Sequence, residues 1–329
     1  MEEFFRNKNV LVTGASGFVG RHLVDRLMTL GAHVRGSVHT KKAPRHDQSV
    51  EYVQADLTMR ADCHRLTENI DYVFMAAANT SGAAVIDSTP LVHLTPNLVM
   101  NAYMLEAAYA SGVKKFCFIS SNTVYPLTDF AVREEDANFE FFDKYFIVGW
   151  MKQFSEVMCE MYSKHVKNPM ATLIVRPGNL YGPYDKYTWT ESKVIAALIR
   201  RAVERHDPFV VWGDGNDLKD FLYIDDFVDG LLRSFACSTD FEVFNIGSGQ
   251  PVTIREVLAE ILSAANYSEA SVEYDSTKPT MIPKRMINID QMRARCDWSP
   301  KVPLSEGIRR TVEWYKAEYR DSSPEDRTS

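Results

Sequence analysis

Three glycines follow the first apolar segment of the chain at a spacing that could hold a phosphate group. The segment Val10–Val12 leads into a turn that contains Gly14, Gly17 and Gly20, and an amphipathic stretch with helical periodicity follows at once. Glycines permit a tight turn and a close approach of the backbone, and the positive end of the helix attracts a pyrophosphate. Because the turn joins a strand to a helix, the spacing predicts a dinucleotide site rather than an ordinary turn.

The residues after the second predicted strand indicate which dinucleotide is bound. An acidic residue there would hydrogen-bond the ribose hydroxyls of NAD, but the chain has Val38 at this place. His39, Lys41 and Lys42 follow, and such basic groups suit the 2′-phosphate of NADP, although they would also suit a solvated loop. The sequence therefore favours NADP(H) over NAD(H). After the third and fourth strands it offers Asp56 for the adenine amine and Ala76, Ala77 and Ala78 as a wall of small residues.

The composition of the chain excludes several classes of protein. With 45% hydrophobic and 25% charged residues over 329 positions, it suits a core-forming globular protein. The net charge of −7 gives no basic surface for nucleic acid, and no stretch approaches the roughly 18 apolar residues that a membrane helix needs. The acidic N-terminus does not resemble a signal peptide, so we expect a cytoplasmic protein. The five scattered cysteines, without a C-x-x-C pair, predict reduced thiols and no metal site.

The order of the predicted elements indicates the fold. Short apolar runs alternate with helical patterns in the first half, which predicts an α/β fold built on a Rossmann-type doubly wound parallel sheet. We expect a dinucleotide-binding domain over residues 1–176, a smaller C-terminal α/β domain over 177–320 with some exchange of elements, and a disordered polar tail over 321–329. The predicted strands are Asn9–Thr13, His33–Val38, Glu51–Gln54, Tyr72–Ala76, Lys115–Ser120, Ala171–Val175, Phe209–Trp212 and Val243–Ile246, and the helices include Val19–Leu30, Asn97–Ala110 and Ile254–Ala265.

Five further segments resemble extended short-chain dehydrogenases/reductases of the NAD-dependent epimerase/dehydratase family, and within it the GDP-L-fucose synthases. They are Ala76–Gly82, Ile119–Pro126, Lys152–Tyr162, Arg176–Asp185 and Val210–Asp226. The resemblance implies NAD(P)-dependent hydride transfer at a carbon, C4 above all, of a nucleotide-diphosphate sugar, with a GDP-sugar favoured. It also implies cofactor contacts at Gly14, Ser16, Gly17, Phe18, Val19, Gly20, His39, Asp56, Leu57, Ala76, Ala77, Ala78, Lys152, Pro177, Asn179 and Leu180.

The catalytic set of this family is incomplete in the chain. The family uses a serine or threonine after the fifth strand and a Tyr-x-x-x-Lys pair on the next helix. By resemblance, Ser121 takes the place of the serine and Lys152 that of the lysine, which holds the nicotinamide ribose and lowers the pKa of the tyrosine. Four residues before Lys152, however, the chain has Val148. Valine cannot carry a proton, so the acid/base group is missing or is supplied from elsewhere.

Several groups could replace the missing tyrosine, and the sequence leaves the choice open. Tyr145 precedes Lys152 by seven residues, on nearly the same helical face. Tyr184, Thr123 and a water held by Ser121 and Thr123 are the alternatives. The family's dehydratases carry an Asp-Glu pair where this chain has Asn122 and Thr123, which disfavours 4,6-dehydration. Its epimerising reductases use a cysteine and a histidine, and we match these to Thr123 and Tyr184, so 3,5-epimerisation is disfavoured too.

The resemblance is better preserved on the side of the substrate. It implies contacts of the diphosphate and sugar with Asn179, Ser192, Lys193, Trp212, Lys219 and Arg285. These residues argue against the rival hypothesis, a catalytically silent NAD(P)-binding sensor or assembly protein, which would need no sugar site. The resemblance also implies a homodimer through the helix that follows the fifth strand. That helix is apolar on more than one face, with Trp150, Met151, Phe154, Val157, Met158 and Met161.

Overall fold

A computed structural model describes residues 1–40, 49–80, 91, 94–189, 191–278 and 280–319. Within this part of the chain, seven parallel strands form one sheet. They are β1 (Asn9–Val12), β2 (His33–Val38), β3 (Glu51–Gln54), β4 (Tyr72–Met75), β5 (Lys115–Ile119), β7 (Ala171–Pro177) and β12 (Phe241–Ile246). Their order across the sheet is β3-β2-β1-β4-β5-β7-β12, and it reverses between β1 and β4. Such a reversal places ligand sites at the carboxyl ends of these strands.

Successive side chains of a strand point to opposite faces of the sheet, and in these strands both sets include apolar residues. Helices therefore cover both faces of the sheet. In β1, Val10 and Val12 join one buried cluster and Leu11 joins the cluster on the opposite face. The expected Rossmann-type doubly wound fold is thereby confirmed. The helices of the described chain are α1 (Glu2–Phe5), α2 (Phe18–Thr29), α3 (Arg60–Thr67), α4 (Thr95–Ala110), α5 (Phe146–Lys164), α6 (Val194–Val203), α7 (Ile224–Cys237), α8 (Ile254–Ala265), α9 (Asp290–Cys296) and α10 (Leu304–Trp314).

The remaining described strands form smaller sheets. They are β6 (Ala131–Val132), β8 (Asn179–Tyr181), β9 (Phe209–Trp212), β10 (Leu218–Lys219), β11 (Phe221–Tyr223), β13 (Val252–Thr253), β14 (Val272–Asp275) and β15 (Lys284–Ile287). The early strand β6 belongs to a small mixed sheet of order β13-β10-β15-β6, whereas the late strand β12 pairs with β7 in the main sheet. The division at residues 176 and 177 therefore stays a prediction, with one strand exchanged in each direction.

The cysteines differ from the expectation of five reduced thiols. Cys237, at the end of α7, and Cys296, at the end of α9, form a disulfide with their Cα atoms 6.0 Å apart. The pairing crosses 59 residues and depends on how these two helices pack, so the spacing of cysteines along the chain could not indicate it. Cys63, Cys117 and Cys159 are free and buried.

The described part of the chain has neither a membrane-spanning helix nor a metal-binding cluster. No helix in it combines the length and the apolar character that crossing a membrane would require. Nor does it contain a group of three or more His, Cys, Asp or Glu side chains arranged to hold a metal ion.

Candidate active site

The glycine turn between β1 and α2 has the geometry of a phosphate cradle. Gly14 has a φ of +65°, and a Cβ atom there would lie 2.9 Å from the Cα atom of Ala77. Gly17 is the N-cap of α2, and neither a capping side chain nor an acidic residue occupies the first turn. The amide of Gly17 donates to the carbonyl of Gly14, but the amides of Phe18 and Val19 have no hydrogen-bond partner among the described residues and remain available to an anion, which the helix dipole would stabilise. A nicotinamide dinucleotide fits this turn, because its pyrophosphate needs such free amides.

The carboxyl ends of β1 and β4 are tied together beside this turn. The hydroxyl of Thr13 accepts hydrogen bonds from the amides of Ala76 and Ala77, each 3.0 Å away. Ala78, the next residue, is exposed. The three predicted small residues therefore run from the end of β4 to the protein surface. The predicted cofactor residues Ser16, Phe18 and Val19 are half-buried on the glycine turn and in the first turn of α2.

The residues predicted to hold the adenosine end lie beside each other. Asp56 accepts hydrogen bonds from the amide and the hydroxyl of Thr58, at 2.9 and 2.7 Å, and these bonds hold the pKa of its carboxyl below the usual range. Nε2 of His39 lies 3.9 Å from Oδ2 of Asp56. Leu57 is buried below them. Lys41 and Lys42, on which the preference for NADP(H) depends, are outside the described residues.

Ser121 and Thr123 form a short turn after β5. Ser121 is the N-cap of the 3₁₀ turn Asn122–Val124, and its Oγ accepts a hydrogen bond from the amide of Thr123 at 3.2 Å. The hydroxyl Oγ1 of Thr123 is buried and has no hydrogen-bond partner among the described residues. Asn122 donates to the carbonyl of Pro177, 2.9 Å away, which attaches the turn to β7. The turn thus presents one unpaired hydroxyl beside the predicted catalytic serine.

Lys152 is buried in α5 and points toward the end of β5. Its Nζ donates a hydrogen bond to the carbonyl of Ile119 at 2.9 Å and lies 4.9 Å from the centre of the Phe118 ring. Burial lowers the pKa of Lys152 to about 8, and the negative charge of Glu156 acts in the opposite direction. Val148 is half-buried one helical turn before Lys152, and its match to the family's tyrosine stays a prediction.

The two tyrosines considered as replacements have different surroundings. Tyr145 caps the start of α5, and burial raises the pKa of its phenol to about 12, while the positive charge of Arg285 opposes this shift. Tyr184 has a φ of +66° and packs between Arg21, whose Cζ lies 4.1 Å from the ring centre, and Trp314. These contacts hold Tyr184 against α2 and α10.

The predicted substrate residues lie on several elements around β8 and β10. Asn179 donates from its side chain to the carbonyl of Asp220 at 3.0 Å. Lys219 donates to the carbonyl of Ile282 and lies 3.3 Å from Oδ2 of Asp217, and burial lowers the pKa of its ammonium. Trp212 ends β9 with 39% of its surface exposed, as a stacking platform would require. Ser192 is half-buried, the exposed Lys193 caps α6, and Leu180 is buried in β8.

Arg285 has a different environment from the one that a residue facing the diphosphate would be expected to have. It is fully buried, and its guanidinium donates to the carbonyls of Tyr125 and Pro126, both 3.0 Å away. Its Nε has no partner in the part of the chain that the structure describes. These hydrogen bonds attach Arg285 to the residues that follow the Ser121 turn. Its contact with substrate stays a prediction.

The sequence reasoning missed two buried acidic residues near these groups. Glu156 lies one helical turn after Lys152 and pairs with Arg176. Asp185 is buried next to Tyr184, and burial raises the pKa of its carboxyl despite the nearby Lys193 and Lys186. A carboxylate four residues after a functional lysine lies on the same helical face, and that spacing could have identified Glu156.

Comparison with known proteins places this geometry in a family. The NAD dependent epimerase/dehydratase family matches residues 10–247. GDP-mannose 3,5-epimerase of Arabidopsis thaliana is 31% identical over 96% of this chain and 84% of its own. GDP-L-fucose synthase 1 of the same plant is 30% identical over 94% of each chain. A UDP-glucuronic acid 4-epimerase from Bacillus cereus, solved with UDP-glucuronic acid and NAD, is 25% identical with a TM-score of 0.82, covering 94% of this chain and 100% of that one. The chain belongs to the NAD-dependent epimerase/dehydratase family.

Proposed function

We propose that this enzyme transfers hydride to or from C4 of a GDP-sugar, with NADP(H) as the preferred cofactor. The observation that carries the proposal is the convergence of Lys152 and the Ser121 turn at the carboxyl end of β5. The two plant relatives compared above have a GDP-sugar in their names. Oxidation, reduction, and oxidation followed by reduction on the opposite face all remain within this proposal.

The chain's own residues would bind and orient the cofactor. Bound nicotinamide dinucleotide supplies the hydride acceptor or donor. The free amides at the start of α2 would hold its pyrophosphate, and Lys152 would donate to the nicotinamide ribose. The lack of an acidic residue at the end of β2 supports NADP(H), because an acidic residue at this position would hydrogen-bond the ribose hydroxyls of NAD.

Proton handling would fall to the Ser121 turn. Ser121 would hydrogen-bond the sugar oxygen at C4, and the unpaired hydroxyl of Thr123 would hold the proton or a water that carries it. Val148 contributes an apolar surface at this point and no proton. The positive charge of Arg285 acts on Tyr145, and Arg21 of α2 packs on the ring of Tyr184. Because these contacts engage both phenols, we favour the Thr123 hydroxyl as the group that carries the proton.

The substrate diphosphate would lie near Lys219, with Asn179 and the N-terminus of α6 close by. Lys219 is half-buried next to the carboxylate of Asp217, and an anionic ligand would offset the cost of removing the lysine charge from water. Lys193, exposed at the N-cap of α6, adds a second cation. Trp212 offers a half-exposed ring for a base or a sugar.

We also propose that two copies of the chain associate through α5. Phe146, Trp150, Phe154 and Met161 are between 39% and 54% exposed and follow one face of this helix, whereas Met151 is buried. An exposed stripe of this kind is costly in a monomer and is typical of a self-association surface.

Bound small molecules provide the test of this function. Protein as purified is denatured, and the released compounds are weighed by mass spectrometry; a nicotinamide dinucleotide and a GDP-sugar are the expected masses. Candidate GDP-, UDP-, CDP- and dTDP-sugars are then incubated with the protein, and the products are separated to distinguish reduction from epimerisation. Binding of cofactor without conversion of any nucleotide sugar would overturn the proposed substrate class.

A further inference from the structure

A buried ion pair connects α5 to β7 directly behind the Ser121 turn. Nη2 of Arg176 lies 2.7 Å from Oε2 of Glu156, and Nε lies 3.0 Å from Oε1, so the contact is two-pronged. Each side chain is only 6% exposed. Since removing two charges from water offsets most of their attraction, such a pair is weak evidence for stability alone. Its position beside Lys152 and Ser121 suggests a further role.

The carboxylate of Glu156 holds the end of β5. Besides its two contacts with Arg176, Oε1 accepts a hydrogen bond from the hydroxyl of Ser120, the residue immediately before Ser121. Ser120 is itself buried, and its amide donates to the carbonyl of Val175 at 2.8 Å. The residue that enters the turn is therefore fixed by both its backbone and its side chain.

Arg176 fixes the other end of the same turn. Its Nη1 donates to the hydroxyl of Tyr125 at 2.9 Å and to the carbonyl of Glu134 at 2.7 Å. The Tyr125 hydroxyl in turn donates to Oδ1 of Asn245 at 2.6 Å. The backbone amide of Asn245 donates to the Glu134 carboxylate at 2.7 Å. One ion pair thus holds both Ser120 and Tyr125, the residues that flank the segment 121–124.

The same carboxylate acts on Lys152, which lies one turn earlier on α5. Burial disfavours the charged form of Lys152, and among the described groups the negative charge of Glu156 is what opposes it. Arg176 offsets part of that charge, so the two sides of the pair determine how readily Lys152 keeps its proton. The other titratable groups around this point are Cys117 of β5, Cys159 of α5, and Tyr125 and Glu134 after the turn.

We propose that Glu156 is a positioning residue that serves two groups at once: it fixes Ser121 through Ser120, and it holds Lys152 in its charged form. A charged Lys152 donates stronger hydrogen bonds to the ribose of a nicotinamide dinucleotide than the neutral amine would. The part concerning Ser121 rests on the proposed function, whereas the part concerning Lys152 needs only cofactor binding.

The test of the Lys152 part measures cofactor affinity against pH in Glu156→Gln. The affinity for NADH and NADPH is followed by their fluorescence, without any sugar. In the natural protein it should fall as the pH rises through about 8, since Lys152 loses its proton there. Without the Glu156 charge the pKa of Lys152 drops further, so the midpoint should move to lower pH by about one unit. The matched control is Glu160→Gln, an exposed carboxylate on the same helix paired with Lys164 at 2.9 Å, which should leave the midpoint unchanged.

A second variant keeps the test decisive if Glu156→Gln does not fold, as judged by circular dichroism. Glu156→Asp retains the charge but shortens the reach to Ser120 and Arg176. It should keep the natural midpoint and slow a single turnover by about tenfold or more, because small misplacements of reacting groups are costly. An unchanged midpoint in folded Glu156→Gln, an equal shift in Glu160→Gln, or a natural turnover rate in Glu156→Asp would each overturn the proposal. If no sugar is converted by the natural protein, the proposed function fails, and the cofactor measurement still decides the role of Glu156.

Discussion

The amide of Thr123 donates to the hydroxyl oxygen of Ser121 across a 3.2 Å hydrogen bond, so the two hydroxyl residues belong to one turn. That bond occupies one acceptor position of Ser121 and leaves its own proton free to reach a ligand. The Thr123 hydroxyl, buried and without a partner among the described residues, is the adjacent proton-carrying group. The turn therefore offers two hydroxyls where the family ordinarily combines a serine or threonine with a tyrosine.

Removing the Ser121 hydroxyl should slow the reaction strongly. Ser121→Ala deletes the proposed hydrogen bond to the sugar oxygen, and losing one proton-handling group typically costs about a hundredfold or more in rate. The rate is measured in a single turnover from the absorbance of the reduced cofactor. Ser163→Ala, in the same helix as Lys152 but at its far end, is the control. A natural rate in Ser121→Ala would place the reacting centre elsewhere.

A bulky side chain in the glycine turn should abolish cofactor binding and leave the fold intact. Gly17 has an ordinary φ of −81°, so Gly17→Leu strains no backbone angle, but its Cβ would lie 3.1 Å from the Gly14 carbonyl and its side chain would enter the phosphate cradle. Affinity for NADPH and NADH is measured by fluorescence titration. Gly112→Asn, at a left-handed position with open space around it, serves as the control. Undiminished affinity in Gly17→Leu would contradict the assignment of this turn.

Local chemistry explains why some features could be predicted from the sequence. The glycine turn depends on residues within one strand-to-helix connection, and the bounds of β2 and β3 follow from short apolar runs, so both were predicted correctly. Long-range packing explains the rest. The sequence predicts a strand over Val243–Ile246, but only pairing with β7 assigns it to the main sheet and extends it to Phe241. The Glu156–Arg176 pair likewise depends on how α5 packs against β7.

Nucleoside diphosphates alone should stabilise the protein, with GDP the most effective. If Lys219 and Asn179 hold a diphosphate, a hundredfold excess of ligand over Kd would stabilise the folded state by about 2.7 kcal/mol. The increase in melting temperature is compared for GDP, UDP, CDP and dTDP. Lys219→Met should reduce the GDP effect, whereas Lys284→Met, on the neighbouring strand β15, should not. The substrate proposal loses its support if no diphosphate shifts the transition.

A charge on the exposed face of α5 should separate the proposed dimer. Trp150 is 39% exposed and lies between Phe146 and Phe154 on the apolar stripe of α5. Trp150→Arg would leave a buried charge at a self-association surface and should yield monomers in sedimentation velocity. Met59→Arg, a similarly exposed residue at the start of α3, should not change the mass. A natural protein that sediments as a monomer would refute the dimer directly.

Restoring a tyrosine at position 148 tests the feature on which the mechanism depends. Val148 is half-buried one helical turn before Lys152, so the phenol of Val148→Tyr would lie beside that ammonium, whose charge favours the phenolate. We expect faster hydride transfer in a single turnover, or a changed product, because a proton-transferring group typically contributes about a hundredfold or more. Val148→Phe supplies the same ring without the hydroxyl, and it should give no gain. Tyr145→Phe and Tyr184→Phe, measured in the natural background, should retain most of the rate if the Thr123 hydroxyl carries the proton. A large loss in either would assign the acid/base role to that phenol, and equal rates in Val148→Tyr and Val148→Phe would mean that position 148 does not face the reacting carbon.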